Sequence, residues 1–258
     1  MAIPIGRRRE FVWDDFLVDE GKTTAVRRLH EPVRREAVMT FDRPWEGDGC
    51  NYLCAVYDDA RKVYRMYYNA WEMMNPDRKA HVAQHFEICC VESADGVHWE
   101  RPSLGLVEFG GSRDNNIVVV AGMFPGLTGL DNFFVTADAN PRPAVPGRFK
   151  AVMAYPERKA DGSIDRKLMA LASDDGYAFH TTGVVTRKGK FDTLNTVLWH
   201  EATGRYICYI RDFHEKDTWK EYESGDLNSL VRDIRVLFSP DFLNWSEPEH
   251  LRFNDVED

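Results

Sequence analysis

The sequence predicts an all-β protein, a β-propeller of antiparallel blades or a large part of one. Three observations carry this reading: a turn motif that recurs three times, a hairpin ahead of each copy, and a composition suited to short strands. The motif is Ser-x-Asp-x-x-x-aromatic, at Ser93–Trp99, Ser173–Phe179 and Ser239–Trp245. Each copy follows a short apolar strand: Phe86–Val91, Lys167–Leu171 and Ile234–Phe238. Its chemistry is that of a turn, because Ser and Asp side chains bond nearby backbone amides, and Gly96 and Gly176 accept positive φ. The closing aromatic is placed to cap the space between neighbouring sheets. These Ser and Asp residues are structural.

The hairpins come next. In the first unit, Asn51–Tyr57 and Val63–Tyr68 flank the turn Asp58–Lys62. In the second, Asn132–Thr136 and Phe149–Tyr155 flank a Pro-rich loop; in the third, Asn195–Trp199 and Arg205–Ile210 flank the turn His200–Gly204. Each unit therefore reads strand, turn, strand, variable connection, strand, Ser-x-Asp turn and short outer strand. Units repeated in this way describe blades around an axis. Ahead of them, Phe16–Asp19 and Glu36–Thr40 read as strands of another blade or as a closing strand. The expected organisation is one propeller domain over 1–258, forming the N-terminal three to four blades of a longer propeller. Open blade edges and apolar faces would then favour self-association.

Composition agrees. Of 258 residues, 43% are hydrophobic and 12% aromatic, enough for a sizeable core, and 12 Pro, 18 Gly and 7 Trp suit many short strands. Lys and Arg number 33 against 42 Asp and Glu, a formal net charge of -9. That balance argues against nonspecific nucleic-acid binding and is no obstacle to a neutral sugar. The N-terminus lacks the apolar core of a secretion signal, and no apolar run approaches the ~18–20 residues needed to span a bilayer. The five cysteines, Cys50, Cys54, Cys89, Cys90 and Cys208, form no metal-type pair and read as buried free thiols of a cytoplasmic protein. The eight His show no ligand spacing, so neither metal nor cofactor is expected. An axial calcium ion would find oxygen ligands, but no loop has calcium-site spacing.

In a propeller the innermost strand of each blade lines the axis, and ligands bind at one mouth. Each predicted inner strand has an acid at its entrance: Asp48, Asp131 and Asp192. Equivalent blades would bring these three carboxylates together. Clustered like charges raise one another's pKa, and acids of unequal pKa are what glycosidic hydrolysis needs. Asp48 is expected as base or nucleophile, with Asp131 and Asp192 as acid or pKa-setting partners. Asp14, Asp15 or Asp19 could add a further channel acid. Glu46, Asn51, Trp71, Asn132, Asn195 and Arg211 are the candidate substrate-binding residues; Trp71 could stack on a sugar ring, and Arg211 could orient a carboxylate or hydroxyl.

Three stretches add a family resemblance. Val91–Pro102, Arg113–Ile117 and Phe191–Val197 resemble bacterial proteins related to family 32 and family 43 glycoside hydrolases, of β-fructosidase and arabinanase type. The resemblance implies a five-bladed propeller with three acids at the axis: a base or nucleophile, a supporting Asp, and a general acid that is usually Glu. Glu46 is the Glu nearest the proposed mouth. The expected function is cleavage of a glycosidic bond in a small carbohydrate. The alternatives are a non-catalytic carbohydrate-binding propeller and a protein-interaction scaffold.

Overall fold

A computed structural model describes residues 4–6, 15–74, 81–216, 218, 220 and 230–251, with backbone alone for 81–84. The chain divides into two units, Met1–Ala37 and Val38–Asp258. The described part of the first unit contains one short 3-10 turn, Glu20–Lys22, and no strand. Neither Phe16–Asp19 nor Glu36–Thr40 forms the strand its apolar residues suggested. Phe16 is 76% exposed and neither segment enters a ladder, so hydrophobic burial does not reward an extended pairing there. Asp14 lies outside the described residues.

The second unit is all-β. Its strands are β1 (Gly49–Asp58), β2 (Val63–Met74), β3 (His81–Ser93), β4 (Ile117–Val120), β5 (Asp131–Ala137), β6 (Phe149–Arg158), β7 (Ile164–Ser173), β8 (His180–Thr186), β9 (Thr196–His200), β10 (Arg205–Glu215), β11 (Leu230–Ser239) and β12 (Glu249–His250). Among the described residues they form three four-stranded antiparallel sheets in sequence order, β1 to β4, β5 to β8 and β9 to β12. Each sheet is one of the expected units, including its short outer strand. The first strands β1, β5 and β9 lie beside one another, which makes the sheets consecutive propeller blades. No helix among the described residues is long and apolar enough to cross a membrane.

Two cores lie between blades. Tyr67, Ile88, Phe133, Phe149 and Phe179 pack between the first and second, while Val152, Leu168, Tyr206, Cys208 and Leu237 pack between the second and third. The outer face of the first blade is covered by Met39, Phe41, Trp45, Leu106 and Phe109. The third blade's corresponding face leaves Leu198 and Ile234 exposed. All five cysteines are free thiols.

The recurring turn does what its chemistry predicts. Ser93 Oγ accepts the Gly96 amide at 2.8 Å, and Asp95 Oδ1 accepts those of Val97 and His98, both at 2.8 Å. Ser173 and Asp175, and then Ser239 and Asp241, repeat the pattern. The third copy replaces glycine by Phe242, which still adopts φ +69° and is fully buried. An aromatic residue accepts that strained conformation because its ring is fixed against Tyr206 and Trp245. At the second copy a side chain is excluded outright. A Cβ on Gly176 would strike the Arg65 guanidinium and lie 2.9 Å from the Tyr67 hydroxyl.

Candidate functional site

The sequence places an acid at the entrance of each inner strand; the fold decides which of them meet. The entrances of β1 and β5 are not regular ladder. The β1–β2 register slips between Asn51 and Cys54, and the β5–β6 register slips between Asp131 and Phe133. The residues at these slips, Tyr52 and Asn132, have φ of +51° and +34°. Such bulges bend the strand and re-aim its side chains, and they favour barrel rims and binding sites.

Asp131 and Asp192 are brought together. Burial pushes the Asp131 carboxyl above its ordinary range and the Asp192 charge adds to this, against hydrogen bonding from Asn132 and the charge of Arg166. Asp192 is half exposed and forms an ion pair with Arg211, whose guanidinium is buried and lies 4.0 Å from the Phe213 ring centre. Arg211 Nε is buried with no hydrogen-bond partner. Tyr52 completes the group. Its hydroxyl donates to the Asp192 carbonyl at 3.1 Å, and its pKa is raised by burial and then by Asp131 and Asp192. Beside them is a pocket of about 200 Å³ lined by Asp131, Tyr155, Arg166, Lys167, Lys190 and Phe191.

Asp48 sits at the corresponding end of the first blade, but its carboxylate is engaged along β2. Its oxygens accept the Met73 amide at 3.1 Å and the Met74 amide at 2.9 Å. Glu46 is buried in a different group. It accepts Tyr68 Oη at 2.6 Å, Arg101 Nε and Nη2 both at 2.8 Å, and the Arg43 amide at 2.9 Å. Burial opposes its ionisation, but Arg101, Tyr68 and the Arg43 amide bring its pKa below the ordinary range. Trp71 stacks on Phe86 at 5.8 Å between ring centres, and its indole lies against Gly49, where a Cβ would collide with it. Asn51 accepts a hydrogen bond from Asn69 at 3.1 Å.

Asn132 and Asn195 tie the second blade to the third. Asn132 Nδ2 donates to the Phe191 carbonyl at 2.7 Å, and Asn195 Nδ2 donates to Asn132 Oδ1 at 2.8 Å. Asn195 Oδ1 accepts the Arg211 amide at 3.3 Å, so these amides brace the backbone that carries Asp131, Asp192 and Arg211. Replacing Asn132 with Ala is expected to cost about 1–3 kcal/mol, from unpaired buried groups and a strained φ. Glycine at the same position relieves the φ strain alone and should recover part of the loss. Urea unfolding measures both; a wild-type midpoint for Asn132→Ala would reject the brace.

Solved structures supply a comparison at this point. The chain path is similar to that of glycosidases. A GH93 α-L-arabinofuranosidase of Fusarium graminearum, in complex with arabinobiose, matches at 14% identity and a TM-score of 0.48, over 86% of this chain and 54% of that one. A Penicillium chrysogenum α-L-arabinanase complexed with arabinobiose matches at 15% and 0.44, over 80% and 50%. A Bombyx mori GH32 β-fructofuranosidase matches at 12% and 0.42, over 79% and 34%. The chain thus spans about half the length of the first two structures and a third of the last. No protein-family model and no curated protein matches the sequence.

Two features of the site escaped the sequence. Tyr52 carries no signal beyond following Asn51, because its role depends on the bulge that turns it towards Asp192. The basic lining from Arg166 and Lys190 comes from a strand and a loop far apart in the chain.

Proposed function

We propose that the mouth at the entrances of β5 and β9 is the active site of a glycoside hydrolase acting on a small carbohydrate. Asp131 serves as general acid and Asp192 as the second carboxylate. The observation that carries this reading is the Asp131 carboxyl, driven towards its protonated form by burial and by Asp192, next to an acid held by Arg211. A protonated acid can donate to the glycosidic oxygen as the C–O bond breaks, while the other carboxylate activates water or attacks the anomeric carbon. Asp192 is preferred to Asp48 as the second carboxylate because Asp48 already accepts two backbone amides.

The test is mass spectrometry of the purified chain incubated with a mixed panel of oligosaccharides, read for cleaved and bound species. Cleavage of one sugar class is expected. A sugar held intact over long incubation would favour a carbohydrate-binding propeller, and no response at all would reject both readings.

A further inference from the structure

A second constellation lies on the outer three strands of the third blade. His214 is at the end of β10, Asp233 at the start of β11 and His250 in β12. The β-ladder brings them near one another diagonally: His214 pairs with Val231 and His250 with Arg235, each two residues from Asp233 on β11. Asp233 Oδ2 is 3.2 Å from His214 Nδ1 and 3.1 Å from His250 Nδ1. One donor atom from each of the three residues lies within 4.8 Å of the others. The His214 and Asp233 side chains are buried, and that of His250 is 14% exposed.

We propose that His214, Asp233 and His250 form a binding site for a divalent first-row transition cation of the zinc type. Ligands about 2.0–2.1 Å from a tetrahedral zinc ion lie roughly 3.3 Å from one another, close to the spacing of these donors. Two imidazoles with one carboxylate suit zinc, cobalt, nickel or iron and do not suit calcium or magnesium, which take oxygen ligands. The surroundings fit such a site. Arg235 Nε lies 3.3 Å from Asp233 Oδ1, the oxygen turned from the imidazoles, and orients the carboxylate as outer partners of metal ligands do. Arg235 Nη2, at 3.5 Å from Oδ2, also donates to the Phe213 carbonyl at 2.9 Å. Its Nη1 lies 3.2 Å from Asp212 Oδ2.

The ion would act as a staple. Strand β12 has only two residues, flanked by backbone bonds from the Leu251 amide to the Ile234 carbonyl at 2.9 Å and from the Ser246 amide to the Phe238 carbonyl at 2.8 Å. A metal bridging β10, β11 and β12 would fix the outer edge of the blade. Three protein donors also leave one tetrahedral position open to water or a ligand oxygen.

The test uses the whole chain, stripped with a chelator and titrated with zinc by calorimetry, beside His250→Ala and His214→Gln. One equivalent is expected to bind, with a thermal midpoint that rises with zinc concentration and affinity at least about tenfold weaker in each variant. His250 is partly exposed on a short edge strand, so His250→Ala keeps the test independent of the buried His214. Because five free thiols could also take zinc, cobalt(II) is added as a reporter. A visible d–d spectrum without thiolate charge-transfer absorption supports the site. Binding unchanged in His250→Ala, a thiolate spectrum, or no saturable binding would overturn it and leave these three residues as a buried polar cluster.

Discussion

Replacing Asp131 with Asn is expected to lower turnover roughly 10²–10⁴-fold, the usual contribution of a general acid, while leaving the fold intact. The carboxyl is raised above its unfolded value by burial and by Asp192. The folded state therefore holds a proton that the unfolded chain releases once pH exceeds about 3.8. Ionised Asp131 is thus a cost to the native state, and stability falls as pH rises through its folded pKa. At neutral pH the Asn variant removes that cost and should unfold at an equal or higher temperature. Activity carries the opposite mark. Wild-type turnover should fall as pH rises through the raised pKa, because the acid must be protonated to assist the leaving oxygen, and the variant should lose that limb of the profile. Lower activity with preserved or raised stability is the signature of a functional acid rather than a structural one. Undiminished turnover in Asp131→Asn would sink the assignment.

Arg65→Ala is expected to produce the largest loss of stability, about 3–5 kcal/mol, as when one partner of a buried charge network is removed. Arg65 is fully buried on β2 and joins the first blade to the second. It lies 3.1 Å from Asp58 and 3.0 Å from Glu92, donates to the Asp175 carbonyl, and sits 4.2 Å from the Tyr177 ring centre. Arg148 reaches Asp58 across the same seam at 2.7 Å. Burial pushes the Asp58 carboxyl up, but Arg148, the Arg61 amide and Arg65 together hold it below its ordinary range. With a depressed folded pKa, this contribution is complete above the unfolded value near 3.8 and disappears as pH falls through the folded one. Lysine should recover little, because it can neither fork between two carboxylates nor stack on Tyr177. Urea unfolding of the three proteins at pH 7 measures this. An unfolding free energy for Arg65→Ala within about 1 kcal/mol of wild type would mean that the apolar core alone holds these blades together.

Much of the architecture is local and could be read directly. Ser93–Trp99 and its two repeats are hydrogen-bonded within seven residues, so the turn is encoded where it forms. The strands around each turn follow from apolar runs that had only to find a neighbour. At Phe16–Asp19 and Glu36–Thr40 the same kind of signal failed, because an apolar run becomes a strand only where a ladder and a core accept it. The site was legible in part. An acid at each blade entrance is visible in the chain, but its direction is not.

What the sequence alone determined is therefore the repeating unit: its turns, its strands and the acid that opens each blade. Tertiary structure decided the rest. A bulge at Asn132 and the ion pair with Arg211 accompany the meeting of Asp131 and Asp192, while the end of β2 engages Asp48. His214, Asp233 and His250 show no motif spacing, yet adjacent strands place them together. The physical reason is range. A turn closes over a few bonds of chain, whereas the protonation of a carboxylate and the convergence of three donors depend on groups that only packing brings near.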